Sequence, residues 1–280
     1  MIKLICIDMD GTLLGDEFSI PGQNLEVLKH AVEAGVEIAL VSGRPFNIAR
    51  YFADLIHPKV HVIATNGTYF RYNQAVYEKS LNAEQMERIY TVAAKHHLVI
   101  HFKGRNKVIS NEWIEESHPY KRTNPKLKEE DKMEFIENAD LNKVLEGQSN
   151  DIYKALIFRA DKVLEENLIQ AKLELKQYED LEVVSSHPCN FEVMRGGTSK
   201  GEAVRELSAY LGIKRDEIMC IGDNENDISM IRYGALGIAM GNGTEEIKAA
   251  ADYITDTNIN AGVAKAVQKF VLQKDVMEME

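Results

Sequence analysis

The chain reads as an α/β protein, a doubly wound parallel-sheet (Rossmann-like) core domain with an inserted α/β cap domain, on three observations. Short apolar runs alternate with helical patterns at both ends of the chain, whereas the middle breaks that rhythm. Polar, glycine-bearing loops follow the apolar runs. In open parallel sheets, ligands bind where such loops converge beyond the carboxyl ends of the strands.

Residues 4–7, 36–41, 60–64, 218–221 and 236–240 are the strand candidates, being continuous apolar runs of the kind that helices cover on both faces. Helical periodicity over 24–34 and 202–211 separates them. In the middle, a helix over 83–97 precedes strand-like pieces at 99–102 and 107–110, which a Gly104-Arg105 turn joins as a hairpin. A charged, apolar-poor stretch at 121–132 reads as a solvated loop. Strand 153–158, helix 162–178 and strands 182–185 and 191–194 complete a second α/β unit inserted into the first. The resulting division is 1–82 and 196–280 for the core and 83–195 for the cap, with Leu81-Asn82 as entry and Arg195-Gly196-Gly197 as exit.

A chain of 280 residues with 45% hydrophobic composition supports a full core. The net charge of −11 and pI near 5.3 exclude the basic footprint of a nucleic-acid binder, so no nucleic-acid partner is expected. A phosphorylated small substrate remains compatible, provided a local positive site receives it. No apolar run approaches the roughly 18 residues of a membrane span. No membrane partner and a cytoplasmic location are expected, and the oligomeric state is not legible. Cys6 and Cys220 sit inside apolar runs and Cys189 follows His187-Pro188, so packed free thiols are expected rather than a disulfide or zinc site. The histidines show no zinc spacing, and Trp113 and Tyr120 could line a pocket, although core packing or surface patching is the commoner role of such residues.

The chemistry lies in the loops. Asp8-Met9-Asp10-Gly11-Thr12 ends the first apolar run, and side chains two apart on a strand share a face, which crowds Asp8 and Asp10 together. Crowded carboxylates call for a positive partner, and a hard divalent cation with oxygen ligands suits them. The competing reading is an Asp-Gly turn with a backbone-capping acid. After the second strand, Ser42-Gly43-Arg44-Pro45 offers a hydroxyl and an unshielded N–H at a helix mouth, with Pro45 in the first turn, where an anion docks or Ser42 caps.

Asn66-Gly67 is foremost a turn. Lys200 opens a helix, where its charge opposes the dipole unless an anion is near, so it is the candidate local cation. Gly222-Asp223-Asn224-Glu225-Asn226-Asp227 holds more acids and amides than capping requires, which points to metal and phosphate ligation, with a solvated first-turn acid as the competing reading of Glu225. Gly241-Asn242-Gly243-Thr244 is a turn with Thr244 as helix cap.

Taken in order, Asp8-Met9-Asp10-Gly11-Thr12, Ser42, Lys200 and Gly222-Asp223-x-x-Asn226-Asp227 resemble the four motifs of the haloacid dehalogenase-like superfamily. The insert is similar to the large cap of its Cof-like sugar phosphatase branch. The resemblance implies a Mg²⁺-dependent phosphatase acting on small phosphorylated metabolites, with Asp8 as nucleophile forming an aspartyl-phosphate and Asp10 as general acid and base. It implies phosphoryl contacts from Ser42, Gly43, Lys200 and Asn226. Mg²⁺ would bind Asp8, the backbone carbonyl of Asp10, and Asp223, with Asp227 supporting Lys200 or the metal. A phosphosugar mutase is the related outcome. A receiver-type signalling module differs in placing its acceptor at a later strand, and a catalytically idle binding protein would not need the intact acids. Which of Arg44, Lys154, His187 and Asn190 face the substrate is not decided by sequence.

Overall fold

The computed structural model describes residues 1–16, 19–145, 151–160 and 163–272. Along the first part of the chain β1 (Leu4–Ile7), α1 (Gly22–Glu33), β2 (Glu37–Val41), α2 (Phe46–Ile56) and β3 (His61–Ala64) alternate, and β4 (Tyr69–Tyr72) and β5 (Ala75–Glu78) follow as a hairpin. Next come α3 (Ala83–Lys95), β6 (Val99–Gly104), β7 (Lys107–Ser110), α4 (Pro119–Thr123), β8 (Glu134–Ile136), α5 (Leu141–Leu145), β9 (Ile152–Phe158), α6 (Glu165–Leu175), β10 (Leu181–His187) and β11 (Asn190–Arg195). The chain returns through α7 (Lys200–Leu211), β12 (Ile218–Gly222), α8 (Ile228–Tyr233), β13 (Leu236–Ala239), α9 (Glu245–Ala250), β14 (Tyr253–Ile254) and α10 (Gly262–Val267).

The first sheet has eight strands in the order β14-β13-β12-β1-β2-β3-β4-β5. Every pairing from β14 to β3 is parallel, and β4 and β5 extend the edge antiparallel. Strand β1 lies between β12 and β2, with Leu4 opposite both Ile218 and Glu37. Its alternation feeds two apolar layers. Ile5 and Ile7 pack with Leu28, Ile48, Phe52 and Val267 under α1, α2 and α10, while Leu4 and Cys6 pack with Val204, Leu207 and Met230 under α7 and α8. All four residues of β1 are fully buried, and removing one such side chain typically costs about 2–5 kcal/mol. That double covering is why the run reads as uninterrupted apolar sequence.

The second sheet has six strands in the order β10-β11-β9-β6-β7-β8, antiparallel except for β7 with β8. Its own apolar layer includes Phe102, Ile157 and Phe191 beneath α3 and α6.

Several local expectations need correction. The hairpin turn is at Arg105-Asn106, because Gly104 still pairs with Ile152 across a register shift. The helix from Ala83 stops at Lys95, since His97 takes a left-handed φ of 56°. Pro45 is the residue before α2 rather than inside its first turn. Within 121–132 the chain forms the end of α4 and two short 3₁₀ turns, with Thr123 and Leu127 buried. The expected helix start at Lys162 lies outside the described residues, and α6 begins at Glu165. Cys6 and Cys220 are packed, but Cys189 is exposed in the turn between β10 and β11. The β4–β5 hairpin was not expected, because strands this short and half exposed carry little periodic signal. Among the described residues no helix is long and apolar enough to cross a membrane.

Candidate active site

Asp8 follows the last residue of β1 and continues its alternation, which directs it to the face covered by α7. There Lys200, the first residue of α7, donates from Nζ to Asp8 Oδ1 at 2.5 Å and to Asp227 Oδ1 at 2.5 Å. Ser199 caps that helix by accepting from Glu202 N at 3.1 Å. A lysine opening a helix opposes the dipole, and two buried carboxylates reverse the penalty. Asp227 is itself fixed by Asp223 N and Asn224 N, which donate to its Oδ2 at 3.0 and 3.1 Å.

The acid crowding differs from the expected one. Strand geometry ends at Ile7, and the turn Met9–Leu13 carries Asp10 away from Asp8. Asp8 instead meets Asp223 and Asp227, with one carboxylate oxygen of each lying within 4.8 Å of the others. The turn is possible because Gly11 adopts a φ of 81°, and a Cβ there would sit 2.4 Å from Asp223 Oδ2. Thr12 Oγ1 then donates to Asp223 Oδ1 at 2.8 Å.

Burial, then the neighbouring Asp227, push Asp8 well above the usual carboxylate range, and Lys200 only partly offsets them. Burial and Asp227 likewise push Asp223 up to about 7. Burial opposes the charge on Lys200, but Asp227 and Asp8 outweigh it and raise its pKa. With all three carboxylates ionised, the one ammonium would leave two negative charges, the charge of one divalent cation, and the raised Asp8 and Asp223 register that imbalance. The donors are all oxygen, which selects a hard ion.

Asp10 is half exposed and engages Arg44 in a fork, with Nε to Oδ2 at 2.8 Å and Nη2 to Oδ1 at 2.5 Å. Burial raises the Asp10 carboxyl, yet Arg44 prevails and holds it below the ordinary range. Ser42 Oγ accepts from Arg44 N at 3.1 Å, so it shapes its own loop and does not cap α2. Asn66 takes a left-handed φ of 59° in its turn and also donates to Glu192, while Asn226 Nδ2 donates to Asn66 Oδ1 at 3.2 Å.

These loops form one wall of a cavity of about 290 Å³, and the second sheet supplies the other. Asp8, Asp10, Gly43, Arg44, Asp223 and Asn226 face Lys103, His118, Tyr120, His187, Asn190 and Glu192. Of the four residues left undecided by sequence, Arg44, His187 and Asn190 line the cavity. Lys154 is closed off behind it, donating to Glu192 Oε1 and to Gly43 O at 2.6 Å each. Glu225 is not a solvated acid, since it accepts from Lys172 Nζ at 2.8 Å and Ser185 N at 3.1 Å across the two sheets. Thr244 does cap α9, and Asn242, taken as a turn residue, also donates to Gly11 O at 2.8 Å.

Lys103, His118 and Glu192 were missed as site residues, whereas Tyr120, weighed as a pocket residue against packing, does line the cavity. Lys103 and Glu192 are single polar residues in or beside apolar strands and His118 sits in a polar stretch, so nothing local distinguishes them from ordinary positions. A larger groove of about 470 Å³ between Ile20, Tyr51, Phe52 and Pro119 has no carboxylate in its lining among the described residues.

A family model described as haloacid dehalogenase-like hydrolase matches residues 5–267. The 5-amino-6-(5-phospho-D-ribitylamino)uracil phosphatase YcsE of Bacillus subtilis (strain 168) is 32% identical over 276 residues, covering 97% of this chain and 96% of its own length. A haloacid dehalogenase-like hydrolase structure from B. subtilis aligns with a TM-score of 0.82 at 27% identity, over 96% of this chain and all of the other. The HAD subclass IIB sugar phosphatase BT4131 aligns with a TM-score of 0.77 at 25% identity, over 96% of this chain and 98% of that one.

Proposed function

Because this chain belongs to the haloacid dehalogenase-like hydrolases and is an enzyme of their phosphatase group, we propose that it is a Mg²⁺-dependent phosphatase of small phosphorylated metabolites, chiefly sugar and polyol phosphates. The observation that carries the reading is the meeting of Asp8, Lys200, Asp223 and Asp227 from distant loops with two charges left over. The proposed cap spans 83–195, and the proposed core spans 1–82 and 196–280.

In this reading Asp8 attacks phosphorus, the bond from phosphorus to the leaving oxygen breaks, and Asp10 gives that oxygen its proton. Asp10 then takes a proton from water, whose oxygen attacks the aspartyl-phosphate, releasing phosphate and restoring Asp8. Arg44 favours ionised Asp10, the form needed for the second half. An arriving phosphate dianion competes for the guanidinium and restores the proton affinity of Asp10 for the first half. Ser42, Gly43, Lys200 and Asn226 hold phosphoryl oxygens, and Asp227 keeps Lys200 in line. Mg²⁺ fits the donors Asp8, Asp223 and the carbonyl of Asp10, and when bound it supplies charge neutralisation for the approach of carboxylate to phosphate.

The named substrate of YcsE carries its phosphate on a hydroxylated ribityl chain, and BT4131 is named a sugar phosphatase. The polar wall of His187, Asn190 and Glu192 suits such a leaving group here. The test is hydrolysis of 4-nitrophenyl phosphate and a panel of sugar phosphates with Mg²⁺ or with chelator. Turnover that chelation stops is the expected result. No turnover on any phosphomonoester with Mg²⁺ present would falsify the reading.

A further inference from the structure

Among the described residues three lysines are buried, and they are not alike: Lys154 is paired with Glu192 at 2.6 Å and Lys200 with Asp8 and Asp227 at 2.5 Å, whereas Lys103 makes no ion pair. Lys103 is only 3% exposed, stands on β6, and lines the cavity opposite Asp8 and Asp10. Its ammonium donates to the Tyr120 hydroxyl at 3.1 Å and lies 4.8 Å from the centre of that ring. Burial holds Tyr120 up to about 12, so its hydroxyl stays neutral and gives Lys103 an acceptor without a countercharge. An ammonium has three donors. A buried cation with one neutral partner is costly unless a ligand completes its shell.

Building on the phosphatase reading above, we propose that Lys103, set in place by Tyr120, selects the leaving group by donating to an oxygen of its polyhydroxylated chain. The phosphoryl group is served from the opposite wall by Asp8, with Lys200 bonded behind it, and by the loops of Gly43 and Asn226, so the atoms that reach β6 belong to the part of the substrate beyond the ester oxygen. A polyol phosphate presents acceptor oxygens there, and phenyl phosphate presents none. The selectivity of the enzyme for oxygen-rich over apolar leaving groups thus passes through one side chain.

The test compares kcat/KM for ribitol 5-phosphate and phenyl phosphate in the wild-type enzyme and in Lys103→Met. The ratio of the two is expected to fall about tenfold or more in the variant, the scale of losing one charged hydrogen-bond donor, mainly through KM for ribitol 5-phosphate. Tyr120→Phe, which unties the ammonium while keeping the ring, is expected to lower the ratio in the same direction and by less, and it serves if Lys103→Met does not fold. An unchanged ratio in the folded variants overturns the inference, as does equal loss on both substrates, which would place Lys103 on the phosphoryl group. A wild-type enzyme that hydrolyses phenyl phosphate with no gain for polyol phosphates overturns it too. Failure to hydrolyse any phosphomonoester instead overturns the phosphatase reading itself.

Discussion

The two walls of the cavity are built by opposite electrostatic rules. On the wall made by the parallel sheet, Lys200 is shared by Asp8 and Asp227, and the surplus is negative. On the wall made by the antiparallel sheet, Lys154 cancels Glu192 from behind the cavity lining, and Lys103 is left inside the cavity as a cation with no ion pair among the described residues. Each wall therefore lacks a charge or acceptor that something bound would provide. The reactive wall lacks a cation, and Lys103 on the recognising wall lacks further acceptor oxygens.

The largest effect expected on the reactive wall comes from Asp8→Asn. Turnover should drop by roughly three orders of magnitude or more, because the nucleophile is lost with little change in shape. The same change removes a carboxyl whose ionisation burial and Asp227 oppose in the folded state, so the metal-free variant should unfold at a higher temperature than the wild type. Full-rate turnover of Asp8→Asn would remove the chemistry from this wall. Lys200→Met tests the same region from the other side. It leaves Asp8 and Asp227 buried without their cation, a loss of about 3–5 kcal/mol measured by urea denaturation, with turnover abolished as well.

The contrast also explains what could be read from sequence. Asp8, Lys200 and Asp223 each stand beside a strand end or a helix start, where an apolar run or a cap marks the register and polar residues have no packing role. The recognising wall offers no such marker. Glu192 and Lys103 lie within antiparallel strands whose alternation normally places polar residues in solvent, and only the docking of this sheet against the loops turns them inward. Asp10 shows the limit of the strand rule, since its direction depends on a left-handed Gly11 and on Arg44, 34 positions away in sequence.

A smaller effect separates the lysines of the second sheet. Lys154→Met breaks a pair that also ties β9 to the carbonyl of Gly43, and it strands Glu192 with Asn66 as its remaining polar partner of those named here. Stability should fall by about 3 kcal/mol, and adding Glu192→Gln should recover much of that, as a double-mutant cycle would record. The preference for ribitol 5-phosphate over phenyl phosphate should not follow the stability. If Lys154→Met shifted selectivity as strongly as Lys103→Met, the division between a structural and a recognising lysine would collapse.

The smallest expected effect has the opposite sign. Burial lowers Lys103 from 10.5 to about 8, with Glu192 on β11 and Asp10 after β1 resisting, and Arg44 after β2 adding to the fall. His118 ahead of α4 and His101 on β6 also face it, and burial with the nearby ammonium keeps both imidazoles neutral at pH 7. Below pH 8 the lysine is charged in both folded and unfolded chains, and the folded state carries the full cost of the buried charge. Between pH 8 and 10.5 the unfolded chain holds the proton more tightly, so this cost is relieved as pH rises. Lys103→Met removes it at every pH, against the loss of one hydrogen bond to Tyr120. The variant should therefore be more stable than wild type by roughly 1–2 kcal/mol at pH 7, with the gain shrinking towards pH 10.5. A residue that stabilises the fold when removed while costing the enzyme its selectivity is maintained for binding. A Lys103→Met protein that is less stable than wild type at pH 7 would instead make this lysine a structural one.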